Sequence, residues 1–464
     1  MTPQRRITTA LLCFAFPTLG AQTADARLTA GIDSIARAVL ASTGVPSASV
    51  AVVQHGRVVY ANAYGTANLD AHTTATADMR YGVGSISKQF TASAVLLLQQ
   101  DGRLRLDDPV GKYVRGLSRG TEVTIRELLT HTSGYQDFWP QDYLMTPMRK
   151  DVTATEIVKG WASQPLDFEP GTRHQYSNTG YTVAAMVVEK ASGMPFFDFV
   201  QRRLLDKVGM PTARNFDANP HVVGATGYIR YGLGPLRAAP DAGKGWMFGA
   251  GMLAMTARDL ATWDVAMLQR SLLTPASYRE LMGETRLKNG AATSYALGLD
   301  VRMRGDRLVV SHNGEVSGFT ADNSVFPDDS AAIVVLTNQD AAPASGAITE
   351  GIARLLFSTE DARSESRTAQ ARAIFVGLQT GKVDRSLFTP NANDYFNAQA
   401  LGDFASSLAP LGAPTGVVEL SAWRRGGMTG RSYRVTFANG TAVRAWTYET
   451  TDGKLEQYQV APIG

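Results

Sequence analysis

The stretch YGVGSISKQF at residues 81–90 decides how the rest of the chain is interpreted. An apolar run follows it at residues 91–98, and Asp101-Gly102 closes the run, which predicts a mostly buried helix with a glycine stop. Ser85 falls in the first turn of this helix, and Lys88, three residues later, lies on the same face. A hydroxyl beside an amine at a positive helix end suits a nucleophile whose proton must be removed. An isolated S-x-x-K, however, is more often the polar first turn of a core helix.

Composition places the chain among ordinary soluble globular proteins. Its 464 residues can hold one large domain and a smaller one, and they are 44% hydrophobic and 19% charged. A formal net charge of +3 is small for this length, so we expect no nucleic-acid partner. The motifs G-x-x-x-x-G-K-[ST], G-x-G-x-x-G and H-E-x-x-H do not occur in the sequence, which removes the simplest nucleotide, dinucleotide and zinc-protease hypotheses.

The N-terminus has the pattern of an export signal. Arg5 and Arg6 precede a largely apolar segment at residues 7–19, and small residues follow. We therefore predict a signal peptide at residues 1–26 and a periplasmic or secreted protein. The apolar segment is too short to span a bilayer, and no later segment is long enough, so no stable membrane insertion is expected. The only cysteine, Cys13, lies in the signal, so the mature chain would have no disulfide or cysteine metal site.

Strand patterns lie at both ends of residues 27–357, and helical patterns lie between them. Residues 49–53 and 57–60 flank a short turn as a hairpin would, and residues 297–301, 308–312, 320–326 and 331–336 alternate or run apolar. This order predicts an α+β catalytic domain in which both ends of the domain form one antiparallel sheet, flanked by helices and with a helical insertion.

A second, smaller α+β unit is predicted at residues 373–464, after a polar linker at residues 358–372. Its last strand patterns are separated by Asn439-Gly440 and Asp452-Gly453, which are strong hairpin signals.

Other short motifs compete for the active-site assignment. Residues 116–120 fit G-x-S-x-G, but no buried strand precedes them and no helix follows, so a surface turn is expected. Y-x-N occurs at Tyr60, Tyr176 and Tyr395, and only Tyr176 falls in a turn that could face the Ser85 helix. The only H-x-G is His312-Asn313-Gly314, at the end of a predicted strand.

Together these motifs resemble the serine β-lactamase and penicillin-binding protein superfamily, in particular its class C-like branch with esterases and D-amino-acid peptidases. The likeness extends to LLTHTSG at residues 128–134, to Pro170-Gly171 leading to YSNTGY at 176–181, and to GAG at 249–251 leading to TARDL at 256–260. It covers about residues 30–357. The second unit faintly resembles NTF2-like α+β rolls appended to some such hydrolases.

The resemblance implies acyl transfer in two steps. Ser85 would attack a carbonyl to form an acyl-enzyme, and water would release it. Lys88 would favour the ionised form of the Tyr176 phenol, and which of the two takes the first proton is left open. Asn178 would orient the substrate, and the backbone N–H groups of Ser85 and Glu315 would bind the oxyanion.

One residue departs from the pattern of many class C-like β-lactamases and narrows the expected range of substrates. Many class C-like β-lactamases have a lysine where this chain has His312, and an imidazole is mostly neutral at pH 7. We therefore expect an ester, amide or peptide substrate rather than efficient β-lactam hydrolysis, and substrate-binding roles for His312 and Gly314.

Two groups of residues were assigned to structural roles. We interpret His131 as structural, and the aromatic residues at 135–143 as local packing rather than a substrate pocket. The hypothesis is an exported serine hydrolase without metal or organic cofactor that acts on a small-molecule or peptide acyl substrate. The alternatives are a penicillin-binding or D-amino-acid peptidase-type protein, or a catalytically idle binding member of the fold.

Overall fold

Residues 26–304, 307–357 and 364–463 are described by the computed structural model of this protein. The chain forms two compact units, and the boundary between them lies between Leu356 and Phe357. The signal peptide predicted at residues 1–26 lies outside the described residues except for Ala26, which begins the first helix.

A seven-stranded antiparallel sheet forms the framework of the first unit. The strands of this unit are β1 Ser47–Gln54, β2 Arg57–Asn68, β3 Thr73–Thr74, β4 Tyr81–Gly82, β5 Arg214–Asn215, β6 Tyr228–Ile229, β7 Arg237–Ala238, β8 Leu253–Met255, β9 Asp300–Arg304, β10 Arg307–Val316, β11 Phe319–Phe326 and β12 Ala331–Thr337. The order in the large sheet is β3-β2-β1-β12-β11-β10-β9. Because β1 pairs with β2 on one side and with β12 on the other, both ends of the unit join in one sheet. The predicted α+β class is confirmed.

The first unit also contains α-helices, most of them in the middle of its sequence. They are α1 Ala26–Thr43, α2 Lys88–Gln100, α3 Ile125–Leu129, α4 Ala154–Ile157, α5 Asn178–Ser192, α6 Phe196–Val200, α7 Asp206–Val208, α8 Ala257–Gln269, α9 Pro275–Met282 and α10 Ala344–Phe357. The first eleven residues of α2 are all buried, and α2 packs against α5 in the core. This burial explains why residues 94–98, in the second half of α2, are all apolar.

The second unit contains a four-stranded antiparallel sheet and three helices. Its helices are α11 Ser364–Gln379, α12 Pro390–Tyr395 and α13 Ala398–Leu408, and its strands, in sheet order, are β13 Pro414–Arg425, β14 Met428–Phe437, β15 Ala442–Glu449 and β16 Leu455–Pro462. The turns at Asn439-Gly440 and Asp452-Gly453 connect β14 to β15 and β15 to β16, as predicted.

The predicted linker is wrong over residues 364–372, which form the first half of α11. Polar side chains in these turns are held by the sheet of the same unit. Ser364 donates a hydrogen bond to Glu419, and Arg372 donates one to the Pro414 carbonyl. Tertiary contacts of this kind stabilise a polar helix that has little apolar periodicity of its own. The other part of the predicted linker that precedes α11, residues 358–363, lies outside the described residues.

Candidate active site

A short 3₁₀ turn presents Ser85 at the start of α2. The turn spans Gly84–Ser87, and Ser85 is partly exposed while its neighbours Gly84 and Ile86 are buried. Gly84 has φ +52°, and a Cβ there would lie 2.6 Å from the Glu315 backbone nitrogen. The turn therefore requires glycine both for its backbone conformation and for its close approach to β10.

Lys88 contacts Ser85 directly from the first turn of α2. Its Nζ lies 2.8 Å from the Ser85 Oγ, 2.8 Å from the Asn178 Oδ1 and 2.9 Å from the Ala250 carbonyl oxygen. The lysine side chain has no solvent exposure. Each of its three hydrogen-bonding directions is thus used by a group of the site.

Burial changes the protonation of this amine. Desolvation lowers the pKa of Lys88 to about 7, and the nearby negative charge of Asp137 partly opposes the shift. An amine with a pKa near 7 is substantially neutral at physiological pH, so it can accept a proton there.

Tyr176 lies beside Lys88, immediately before α5. The Lys88 Nζ is 4.8 Å from the centre of the Tyr176 ring. The His131 ring also packs against Tyr176, with 4.1 Å between the centres of the two rings. Burial raises the pKa of Tyr176 above its ordinary value, and hydrogen bonding with Ser85 only partly opposes this. Desolvation by burial is the largest effect on the pKa of Tyr176, and it opposes the phenolate that Lys88 is expected to favour.

Asn178 is the first residue of α5 and is held by a carboxylate. Asp137 accepts the backbone N–H of Asn178 at 2.9 Å and its side-chain Nδ2 at 3.3 Å. The same Nδ2 also faces the Trp139 carbonyl at 3.4 Å. Both ends of the Asn178 amide are thus engaged within the protein, since its oxygen accepts from Lys88.

His312 belongs to a chain of hydrogen bonds that runs from β10 to the N-terminus of α5. The Ser177 N–H donates to His131 Nδ1 at 3.1 Å, which leaves His131 Nε2 to donate to the Tyr295 hydroxyl at 3.1 Å. That hydroxyl donates to His312 Nε2 at 2.9 Å, and His312 Nδ1 donates to the Asn313 carbonyl. The fixed backbone donor thus sets the direction of every bond in the chain, and both imidazoles are neutral.

Burial and the charge of Lys88 keep these histidines uncharged. They lower the pKa of His312 to about 3 and hold the pKa of His131 well below its ordinary range. A neutral His312 whose two nitrogens are already bonded cannot replace a lysine as an anchor for a substrate carboxylate.

Gly314 and Glu315 bring β10 against the Ser85 turn. A Cβ on Gly314 would lie 1.9 Å from the Val83 carbonyl oxygen and 3.3 Å from the Ser85 backbone nitrogen. The backbone of Glu315 contacts Gly84 from the same side. The backbone of β10 at Gly314 and Glu315 is therefore in close contact with the turn that carries Ser85.

A cavity of about 880 Å³ that is open to solvent is lined by Ser85, Tyr176, Asn178, His312 and Glu315. Phe138, Trp139 and Tyr143 line it too. Phe138 and Trp139 also pack in a hydrophobic cluster with Trp246, so the predicted local packing is observed for them, but the prediction did not place these aromatics at a cavity. Among the described residues, its lining contains no lysine or arginine side chain and five carboxylates: Asp137, Asp142, Asp167, Glu315 and Asp340. Its acidic character was not apparent from the sequence, because the five residues are scattered along the chain.

Comparison with known proteins agrees with this geometry. A family model described as Beta-lactamase matches residues 32–356. The chain belongs to the beta-lactamase family.

Relatives within the beta-lactamase family are distant. Penicillin-binding protein 4* of Bacillus subtilis (strain 168) is 27% identical over 307 residues, which are 63% of this chain and 68% of that protein. The D-aminopeptidase of Brucella anthropi is 25% identical over 312 residues, which are 67% of this chain and 59% of that enzyme. The crystal structure of a D-stereospecific amidohydrolase from Streptomyces sp. has a TM-score of 0.60 and 26% identity, and covers 71% of this chain and 98% of that one.

Two residues of this beta-lactamase-family site, Asp137 and Tyr295, were not singled out from the sequence. His131 is buried and hydrogen-bonded to Ser177 and Tyr295, in keeping with the structural role expected for it. The sequence shows Asp137 only as an aspartate three residues after the LLTHTSG motif. Its role is visible only in the folded protein, where its loop contacts Asn178 at the start of α5.

Across the part of the chain that the structure describes, no group of three or more His, Cys, Asp or Glu side chains could hold a metal ion. In the same part, no helix combines the length and apolarity needed to cross a bilayer.

Proposed function

We propose that the protein is an exported serine hydrolase that forms an acyl-enzyme at Ser85 from an ester, amide or peptide. The observation that carries this proposal is the 2.8 Å contact between the Lys88 Nζ and the Ser85 Oγ beside an open cavity. Burial lowers the pKa of Lys88 to about 7, so the amine that touches the hydroxyl can also take its proton. An idle binding protein would gain nothing from desolvating an amine at that position.

Lys88 takes the first proton in this proposal. The Ser85 hydroxyl gives its proton to the neutral Lys88 amine as Oγ bonds to the substrate carbonyl carbon, and the carbonyl oxygen becomes an oxyanion. The backbone N–H groups of Ser85 and Glu315 face that oxygen, and they stabilise the charge that develops there.

Tyr176 serves as the acid in this scheme. Because burial raises the pKa of Tyr176, the phenol keeps its proton and can donate it to the leaving group as the carbonyl reforms. Lys88, now protonated, returns a proton to the tyrosine. Water then attacks the acyl-enzyme carbonyl as Lys88 takes its proton. When the bond between the acyl carbon and Ser85 Oγ breaks, Lys88 returns that proton to Oγ and the carboxylic acid leaves.

A substrate with a free amino group fits the cavity better than a carboxylate-bearing β-lactam. The five carboxylates of the lining favour a cation, and burial raises the pKa of Glu315 with the charges of Asp142 and Asp340 adding to the shift. A bound ammonium group would relieve this repulsion. One relative is a D-aminopeptidase, which supports such a substrate.

A labelling experiment tests the acyl-enzyme. The mature protein is incubated with a fluorophosphonate probe and with a fluorescent penicillin, beside Ser85→Ala. We expect fluorophosphonate labelling of the wild type at Ser85 and none of the variant. Absence of labelling of the wild type by both reagents would contradict the assignment of the nucleophile.

Matched substrates test the charge preference separately. D-Alanine p-nitroanilide and its N-acetylated form share one leaving group and differ in a single positive charge. We expect a higher kcat/KM for the free amine, and a smaller ratio at high salt or in Asp142→Asn, because both weaken the attraction. Equal turnover of the two substrates would reject the amine preference and leave the acyl-enzyme proposal standing, whereas preferred turnover of nitrocefin would favour a β-lactam-directed protein.

A further inference from the structure

Asp137 holds Asn178 in one orientation. Its Oδ1 accepts the backbone N–H groups of Asn178 at 2.9 Å and Trp139 at 3.2 Å, and its Oδ2 accepts the Asn178 Nδ2. The second neighbour of that Nδ2 is the Trp139 carbonyl, which also only accepts. The Asn178 amide therefore has its nitrogen towards two acceptors, and its oxygen must face Lys88.

The orientation of Asn178 decides where the Lys88 lone pair points. A neutral amine has two N–H donors and one lone pair. The Asn178 Oδ1 and the Ala250 carbonyl can only accept, so they take the two N–H groups of Lys88. The remaining direction is towards the Ser85 Oγ, and the lone pair is left for the hydroxyl proton.

We propose that Asp137 is a positioning residue for acylation: by fixing the Asn178 amide, it aims the lone pair of Lys88 at Ser85. This inference rests on the proposed function, in which Lys88 takes the proton of Ser85. The position of Asn178 as the first residue of α5 strengthens the clamp, because a carboxylate is favoured at a helix N-terminus whose N–H groups have no partner within the helix.

The substitution Asp137→Asn reverses this arrangement. The two backbone N–H groups at Oδ1 cannot turn, so the oxygen of the new amide must stay with them and its NH₂ group must face the Asn178 NH₂ group. The clash is relieved when the Asn178 amide turns over, which presents its nitrogen to Lys88. The lone pair of Lys88 then accepts from Asn178 instead of from Ser85.

A double-mutant cycle separates this role from simple helix capping. Asn178→Asp in the wild-type background places two carboxylates against each other, whereas Asn178→Asp combined with Asp137→Asn restores a donor facing an acceptor and an oxygen facing Lys88. The readout is the second-order rate constant of fluorophosphonate labelling, with the melting temperature as a measure of folding.

We expect Asp137→Asn to slow labelling on the order of 100-fold in the wild-type background, which is the scale for a mispositioned base. In the Asn178→Asp background, we expect the same change to speed labelling by about tenfold. The carboxylate next to Lys88 in the double variant should also move the acid limb of its pH–rate profile to higher pH, because it favours the charged amine.

Asp151→Asn is the matched control. Asp151 is exposed, accepts the backbone N–H of Lys244 at 2.8 Å and does not line the cavity, so its loss should leave labelling unchanged.

A capping role alone predicts that Asp137→Asn is harmful, or neutral, in both backgrounds, and either result would overturn the inference. If Asp137→Asn alone does not fold, the comparison of Asn178→Asp with the double variant decides by itself, and a double variant that is no faster refutes the proposal. Failure of the wild type to label at Ser85 would instead reject the proposed function.

Discussion

Gly314→Ala should separate the Ser85 turn from the strand beside it. A Cβ on Gly314 would lie 1.9 Å from the Val83 carbonyl oxygen. Carbon and oxygen in close ordinary contact are about 3.3 Å apart, so strand β10 and the turn must move apart by about 1.4 Å. The atoms nearest to this Cβ belong to the backbones of Val83 and Ser85, so no flexible side chain can move aside to make room.

The expected loss of activity in Gly314→Ala follows from that displacement. The proposed oxyanion donors, the N–H groups of Ser85 and Glu315, are on opposite sides of the contact. A misplacement of about 1 Å costs on the order of 100-fold in rate, and forcing a methyl group into a packed site costs about 1–3 kcal/mol of stability. The labelling rate of Gly314→Ala should therefore fall strongly, while the variant should still fold.

Fluorophosphonate labelling and thermal melting measure the two effects separately. Gly346→Ala is the control, because Gly346 lies within helix α10 and a Cβ there meets nothing within 4 Å. This variant should label like the wild type and be slightly more stable, by up to about 1 kcal/mol. Labelling of Gly314→Ala at the wild-type rate would refute the reasoning that the two backbones must touch.

Two further predictions concern pH. Labelling should rise as pH passes through about 7 and then level off, because the pKa of Lys88 is about 7 and only its neutral form accepts a proton; a rate that is flat from pH 5 to 9 would contradict this. Asp264 is buried: its Oδ2 accepts a hydrogen bond from the Asn323 Nδ2, its Oδ1 accepts none among the described residues, and burial raises its pKa to about 8. Since that pKa exceeds the ordinary value of about 3.9, the folded state holds more protons between these values, and stability is lost as pH rises from about 4 to 8. Asp264→Asn should therefore gain more than ~1 kcal/mol over the wild type between pH 5 and 8 in urea denaturation, and an unchanged difference would reject the buried-carboxylate explanation.

Local elements with strong signals were predicted well. The hairpin of β1 and β2, the glycine stop of α2 and the two turns of the second sheet depend on neighbouring residues, so short-range patterns are enough to find them. The first turns of helix α11 were taken for a linker because they are polar, and only packing within its own unit shows what stabilises them.

The candidate site was predicted only in part. The structure brings Ser85, Lys88, Tyr176 and Asn178 together, and it places β10 beside them. Tyr295 was missed because a tyrosine in a polar stretch has no distinguishing pattern, and its contact with both histidines depends on the folding of three separate segments.

The sequence by itself determined the fold class and the spacing of Ser85 and Lys88, because residues three apart on a helix must share a face. Only the tertiary structure decided their chemistry. Burial of Lys88 lowers its pKa, burial of Tyr176 raises its pKa, and Asp137 turns the Asn178 amide towards the lysine. Desolvation and the direction of a hydrogen bond both depend on atoms that are distant in the chain, so no local pattern around residues 81–90 could reveal them.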